Sequence, residues 1–421
     1  MSNPDRVVIV GGGVSGLACA HRLHQANIPF TLVEASDVPG GRVRTDQYEG
    51  FLLDRGFQVL LTAYPEAARL LNYRKLGLRK FTPGALIRSG GKFHRLVDPW
   101  RQPFKAIPTI FSPIGSFADK LRIAKLRSTV NSKSLFNIFH AEDRTTLAEL
   151  KSYQFSPRII NQFFRPFFGG IFLDHDLVTS SRMLNFVFQM FSRGAVTLPA
   201  KGIGQIARQL SAGLPRDRLR FGCLVKAVVD NIVRLEDGSE IKGHAIVLAT
   251  GGEATARLLG QPFDSYQKRQ VACLYFRAAQ PPLNEPSLVL NGEGTGPVNN
   301  LCVPSLVSPD YAPPGQHLIS LSVLQDFIQE DLEQKVVEQM RAWYGDQVEQ
   351  WEHLRTYRID EALPNQAAGV PPAFAQGKIN SHVYLCGDFC TQGSLNAAMY
   401  SGRHVAEQIA EEMQTVQQPA H

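Results

Sequence analysis

Three kinds of hydrophobic pattern alternate along the chain. Short, mostly apolar runs appear at Arg6–Val10 (RVVIV), Pro29–Val33 (PFTLV), His244–Leu248 (HAIVL) and Val383–Cys386 (VYLC). Runs of this length, bounded by glycine or turn residues, read as strands buried on both faces, as in a parallel sheet. Cys223–Val228 and Asn231–Leu235 read as a hairpin-like pair that ends at the Asp237-Gly238 turn. Helical spacing predicts helices over Leu17–Gln25, Ala118–Ser128, Thr146–Leu150, Gln205–Leu210 and Ile328–Tyr344. Strand-like segments follow at Ala272–Phe276, Ser287–Leu290, His317–Leu321 and Trp351–Ile359. The expected class is α/β, with a helical region and a sheet region inserted between the buried strands of a parallel sheet.

The first strand runs directly into Gly11, Gly13 and Gly16. This is G-x-G-x-x-G in the strand–turn–helix context that gives the motif meaning. Gly11 permits the tight turn, Gly13 lets backbone approach a pyrophosphate, and Gly16 lets the helix pack on the strand. The amides of the first turn, at Val14 and Ser15, are then free to face phosphates. The second strand ends at Glu34-Ala35, 23 residues after Gly11, where a carboxylate accepts hydrogen bonds from a ribose. Gly40, Gly41 and Arg42 follow, opening backbone space and supplying a guanidinium fork for a diphosphate.

From Val8 to Arg44 the chain resembles the flavin-containing amine oxidase superfamily, which includes protoporphyrinogen oxidases and phytoene or squalene desaturase-like enzymes. The resemblance implies a Rossmann-like FAD-binding domain of the glutathione reductase type, with an inserted substrate domain of mixed sheet and helices. It implies that Gly56 and Arg55 approach the flavin, with Arg55 beside the N1–C2 carbonyl edge; a salt-bridged surface arginine accounts for Arg55 equally well. It places the backbone near Val225 against the adenine and Thr250-Gly251 against the dinucleotide. Gly387-Asp388, with the helix start at Ser394, Leu395 and Ala397, falls where the family binds the ribityl chain. The expected division is 1–82, 216–268 and 373–415 for FAD binding, 83–215 for the helical part and 269–372 for the sheet part of the substrate domain.

The run Phe163-Phe164-Arg165-Pro166-Phe167-Phe168-Gly169-Gly170-Ile171-Phe172 is the most unusual feature of the middle. An aromatic wall for an isoprenoid or a flat ring system and an ordinary buried core both fit it. Basic and apolar residues alternate over Ala118–Ser128, and Phe104–Phe111 is an apolar segment; together they suit a membrane surface, although an ordinary surface helix fits as well. Leu198–Gly204 matches the family's glycine-rich tract only in part, with Lys201 in place of a glycine.

Composition changes this picture little. The net charge of +6 mildly favours anionic partners, and no basic block or zinc-finger spacing points to nucleic acid. Six scattered cysteines imply a reducing compartment and no metal centre. With no signal-peptide pattern or long apolar run, a cytoplasmic or peripherally attached protein is expected. His175, between Asp174 and Asp176, fits a surface loop better than a catalytic base. A single dinucleotide fingerprint implies that electrons pass to oxygen or a quinone rather than arrive from a second nucleotide. The expected function is FAD-dependent dehydrogenation or desaturation of an apolar, isoprenoid-like substrate by non-covalent flavin. The alternatives are an amine or protoporphyrinogen-type oxidase, and a flavin-binding protein without turnover. Oligomeric state is left open.

Overall fold

The computed structural model describes residues 6–104, 112–260, 267–372 and 377–417. A parallel sheet carries the nucleotide-binding half. Its five strands lie in the order Leu219–Arg220, Phe30–Val33, Val7–Val10, Ala245–Leu248 and Val383–Leu385. The apolar runs are continuous because both faces are covered. Val7, Ile9, Leu32 and Val247 join the core beneath the first helix. Val8, Val10, Val33 and Ile246 join a second core on the opposite face, with Val225 and Val233.

The first helix spans Val14–Gln25, starting three residues before the sequence pattern suggests. The C-terminal helix, Leu395–Gln417, runs against it at very short range. A Cβ on Gly402 would stand 2.0 Å from the Ser15 carbonyl oxygen. Two distant stretches of chain thereby meet over one face of the sheet.

The second layer is a seven-stranded sheet. In spatial order its strands are Glu352–Pro364, Lys268–Ala278, His317–Leu324, Val298–Cys302, Leu288–Asn291, Gly84–Ser89 and Lys92–Val97. All neighbours are antiparallel except Leu288–Asn291 with Gly84–Ser89. Helix Leu332–Tyr344 covers it through Val336, Met340 and Trp343.

One sequence expectation needs correction. Residues 84–97, grouped with the helical region, form a hairpin that extends the substrate sheet. The alternation in Ala85, Ile87 and Val97 carries this, each being buried. The hairpin-like pair expected after Cys223 is present as Val225–Val229 and Ile232–Leu235, which with Glu240–Lys242 form a separate antiparallel sheet, while Leu219–Arg220 joins the parallel one. Short hydrogen-bonded turns favour that local pairing over a long return.

The helical region holds the phenylalanine run. A π-helical turn over Ile160–Phe164 leads into helix Arg165–Phe172. Helix Phe117–Ser132 begins in a reciprocal cap, Ser116 with Asp119, which neutralises two orphan amides. Most of Phe104–Phe111 lies outside the described residues, as does Phe374 of the loop after Gly369. Among the described residues no helix is long and apolar enough to cross a membrane.

Candidate functional site

The glycine turn at the end of the first strand is built by three different constraints. Gly11 has φ +111°, and a Cβ there would lie 2.6 Å from the Ala249 carbonyl oxygen. At Gly16 the same atom would stand 2.0 Å from the Gly11 oxygen, so helix and strand touch through bare backbone. Gly13 is the contrast: a Cβ would meet nothing within 4 Å. Gly13 is also the N-cap of a helix with no side-chain cap and no acid in its first turn. The helix thus presents Val14 and Ser15 at an electropositive end, beside open space.

Glu34 is fixed at the adjacent strand end. Its Oε2 accepts from the Gly12 amide at 2.6 Å, and its Oε1 accepts from the Ser36 amide and hydroxyl at 2.9 and 2.6 Å. Ala35 beside it is exposed. The Gly40 amide donates to the Gly12 carbonyl at 2.9 Å, bringing the glycine doublet against the turn. Gly41, with φ +56°, would place a Cβ 3.4 Å from the Gly13 Cα.

Arg42 then reaches across to the other end of the chain. Its Nη2 pairs with Asp388 Oδ1 at 2.5 Å, and its Nη1 donates to the Ala362 carbonyl at 2.8 Å. Asp388 is buried, while Arg42 is about a third exposed. The Gly387 amide donates to the Ser401 hydroxyl at 3.1 Å, anchoring this turn on the C-terminal helix. Ser394 accepts from the Ala397 amide at 3.1 Å, acting as a cap, with Leu395 starting the helix and Ala397 buried.

From Arg42 the structure leads to a cavity. Gln58 Nε2 donates to the Arg42 carbonyl at 2.8 Å and to the Arg55 carbonyl at 3.1 Å, folding the Arg55–Gln58 turn onto the arginine. Gly56 has φ +87°, and a Cβ there would stand 2.8 Å from Ile359 Cδ1. Arg55 pairs with Asp46, Nε to Oδ2 at 3.0 Å, and the Tyr357 hydroxyl donates to the same carboxylate at 2.8 Å. Burial pushes the Asp46 carboxyl up, but these donors outweigh it and hold it below its ordinary range. The ion-paired reading of Arg55 is therefore the geometry observed.

Phe57, next to Gly56, lines a cavity of about 1120 Å³. Phe163, Phe167, Ile171, Phe188 and Phe191 form much of its wall. The phenylalanine run divides by helix face. Phe163, Phe167 and Ile171 border the cavity, whereas Phe164, Phe168 and Phe172 are buried in the core. Spacing of four residues separates the two sets. Among the described lining residues the cations are Lys80, Arg101, Lys120, Arg127 and Arg193, and Asp98 is the only acid. Asp98 is shared by Arg101 and Arg127, at 3.7 and 3.6 Å.

Val225 is buried in the second core, away from the loops just described in sequence but packed with Val10 and Val33. Thr250 exchanges a hydroxyl hydrogen bond with Thr255 at 2.7 Å. Beside Gly251 stands a residue to which the sequence assigns no role. Glu361 accepts from the Gly252 amide at 2.5 Å, covering the start of helix Gly252–Leu259.

Asp54 was also missed. It is buried, and it accepts from the Thr45 hydroxyl at 2.5 Å, the Tyr311 hydroxyl at 2.7 Å and the Ile203 amide at 3.0 Å. Three segments meet on this one carboxylate. Burial nevertheless pushes its pKa up to about 6. The partial glycine tract explains itself here: Gly202, with φ +94°, and Gly204 pack against Thr45, and Lys201 occupies the exposed position just before them.

Cys386 and Cys390 are buried, and burial pushes the Cys386 thiol up to about 12. A neutral buried thiol is a poor nucleophile. Among the described residues no group of His, Cys, Asp or Glu is arranged to hold a metal ion.

Residues 14–410 match the family described as flavin containing amine oxidoreductase. The chain is 28% identical to protoporphyrinogen oxidase 2 of Arabidopsis thaliana over 39% of its own length and 32% of that protein's. It is 25% identical to coproporphyrinogen III oxidase of Mycobacterium tuberculosis over 61% of each. The chain thus spans less than two thirds of these curated relatives. A solved oxidoreductase from Methanosarcina mazei has the same fold, with a TM-score of 0.75, 18% identity, and coverage of 96% of this chain and 100% of that one.

Proposed function

This chain belongs to the flavin containing amine oxidoreductase family, and we propose that it uses non-covalently bound FAD to oxidise a large, flat, mostly apolar substrate with anionic substituents, of the porphyrinogen type. The described residues fit the cofactor. An uncapped helix start faces open space at Gly13, and Glu34 stands ready-oriented for a ribose. Arg42 and Asp388 lie at the junction where the diphosphate and ribityl portions belong. Bound FAD would supply a two-electron acceptor. The chain orients it, walls off water and positions the substrate.

The observation that carries the substrate class is the cavity that Phe57 lines. Its aromatic wall suits a flat or apolar body. Five cations against one acid suit carboxylates and repel a protonated polyamine. A hydrocarbon isoprenoid carries no carboxylate for those cations to bind, so the desaturase expectation gives way to the porphyrinogen-type one. The relatives named above are porphyrinogen oxidases, which supports the same choice. Oxygen is the proposed electron acceptor.

Anaerobic bleaching of the flavin absorbance tests this. A porphyrinogen is expected to bleach it, while a polyamine and a carotenoid precursor leave it unchanged. Bleaching by the polyamine or the carotenoid precursor alone would overturn the substrate assignment, and a flavin that none of them reduces would favour a protein without turnover. Acid precipitation is expected to release all the yellow colour into the supernatant; colour kept in the pellet would overturn the non-covalent link.

A further inference from the structure

Helix Phe117–Ser132 has three faces with different surroundings. Asp119, Leu126 and Val130 point into the protein and are buried. Lys120, Ile123 and Arg127 line the cavity. Phe117 and Leu121, one turn apart on the remaining face, are 62% and 58% exposed. Trp100, also largely exposed, is held on this helix by Arg127, whose guanidinium lies 4.5 Å from the ring centroid. Half of the large apolar side chains exposed among the described residues fall between positions 100 and 136.

The charge around this face is one-sided. Between positions 98 and 136 the described residues carry Arg101, Lys120, Arg122, Lys125, Arg127 and Lys133 against two acids, Asp98 and Asp119. Both acids are already engaged, Asp98 with Arg101 and Arg127, and Asp119 in the helix cap and with Arg122. An excess of fixed cations therefore borders the exposed aromatic and leucine side chains. A protein partner needs a matched apolar surface with defined counter-charges. A bilayer with anionic head groups offers both complements at once, with acyl depth for Phe117 and Leu121 and phosphate for the lysines and arginines. Tryptophan favours the same boundary.

We propose that this face docks the protein on an anionic phospholipid surface, with the cavity wall one helical ridge away. The docking itself does not depend on the porphyrinogen reading; that reading supplies only its use, the exchange of an apolar substrate with the membrane.

Flotation of the flavin-loaded protein with vesicles tests it. With phosphatidylcholine containing phosphatidylglycerol, the protein is expected to float at low salt and to be released as salt rises. Pure phosphatidylcholine vesicles should retain much less. The double variant Phe117→Ser, Leu121→Ser should lose at least tenfold in partition, with its flavin spectrum and melting temperature unchanged. Lys125→Glu, on an exposed side chain outside the cavity, should lose at least about fivefold, from roughly 1 kcal/mol per charge near such a surface. Wild-type protein that stays at the bottom with anionic vesicles would overturn the proposal. So would variants that float like wild type, or a face found buried in a dimer by sedimentation with no vesicle binding. Because the readout is partition and not turnover, failure of the substrate assignment leaves these outcomes intact.

Discussion

Arg42 Nη2 lies 2.5 Å from Asp388 Oδ1, although 346 residues separate them in sequence. Each was expected from sequence to hold a different part of one cofactor, and the fold brings them into direct contact. The pair ties the N-terminal glycine turn to the C-terminal helix and fixes the guanidinium, while Gln58 holds the Arg42 backbone through its carbonyl. Arg42→Ala should weaken FAD binding by about ten- to hundredfold, the loss of roughly 1–3 kcal/mol of charge-assisted hydrogen bonding. Arg42→Lys should recover only part of it, since an ammonium cannot reproduce the fork. Titration of the apoprotein by flavin fluorescence reads both.

Gly13 and Gly16 should respond oppositely to a methyl group. Gly16→Ala drives Cβ into the Gly11 carbonyl and should lower the melting temperature sharply. Gly13→Ala meets open space in the protein, so apoprotein stability should hold while FAD affinity falls. Thermal unfolding of the apoprotein, paired with cofactor titration, separates the two. Equal destabilisation by both would contradict the geometry.

The phenylalanine helix gives a register test. Phe164→Ala and Phe168→Ala empty fully buried positions and should each cost about 3–5 kcal/mol of stability. Phe163→Ala and Phe167→Ala open the cavity wall and should mainly raise KM. Chemical denaturation and steady-state kinetics on the four variants should sort them in alternate pairs.

Asp54 sets a pH dependence of unusual sign for a carboxylate. Its folded pKa of about 6 lies above the unfolded value of 3.8, so the folded state binds more protons across that window. Stability should therefore fall as pH rises from near 4 to near 6, by at most about 3 kcal/mol from this group. Asp54→Asn should flatten that part of the denaturation profile. An unchanged slope in the variant would show that other groups carry it.

The nucleotide half was legible because its demands are local. Gly11, Gly13, Gly16 and Glu34 sit at fixed spacings set by one strand, one turn and one helix. Buried parallel strands betray themselves as unbroken apolar runs, as Val7–Val10 and Ala245–Leu248 do. The hairpin at 84–97 escaped notice because its half-buried residues alternate weakly and charged side chains interrupt them. Glu361 and Asp54 were unreadable for another reason. Their importance comes from partners more than a hundred residues away, Gly252 for one and Ile203 and Tyr311 for the other. No local pattern marks a carboxylate that is satisfied only after domains meet. The phenylalanine run held two meanings at once, and only the helix register could assign each residue to core or cavity.

The long strand Glu352–Pro364 belongs to the substrate sheet, yet Ile359 abuts Gly56, Glu361 covers the Gly252 amide and the Ala362 carbonyl receives Arg42. A few consecutive residues of one rigid element thus touch both the redox end and the diphosphate end of the proposed cofactor bed. Any substrate whose entry shifts that strand must alter the enzyme's grip on its flavin. By reciprocity the flavin alters the grip on substrate by the same factor, so affinity for the two ligands is a joint property and is best measured with each present at fixed saturation.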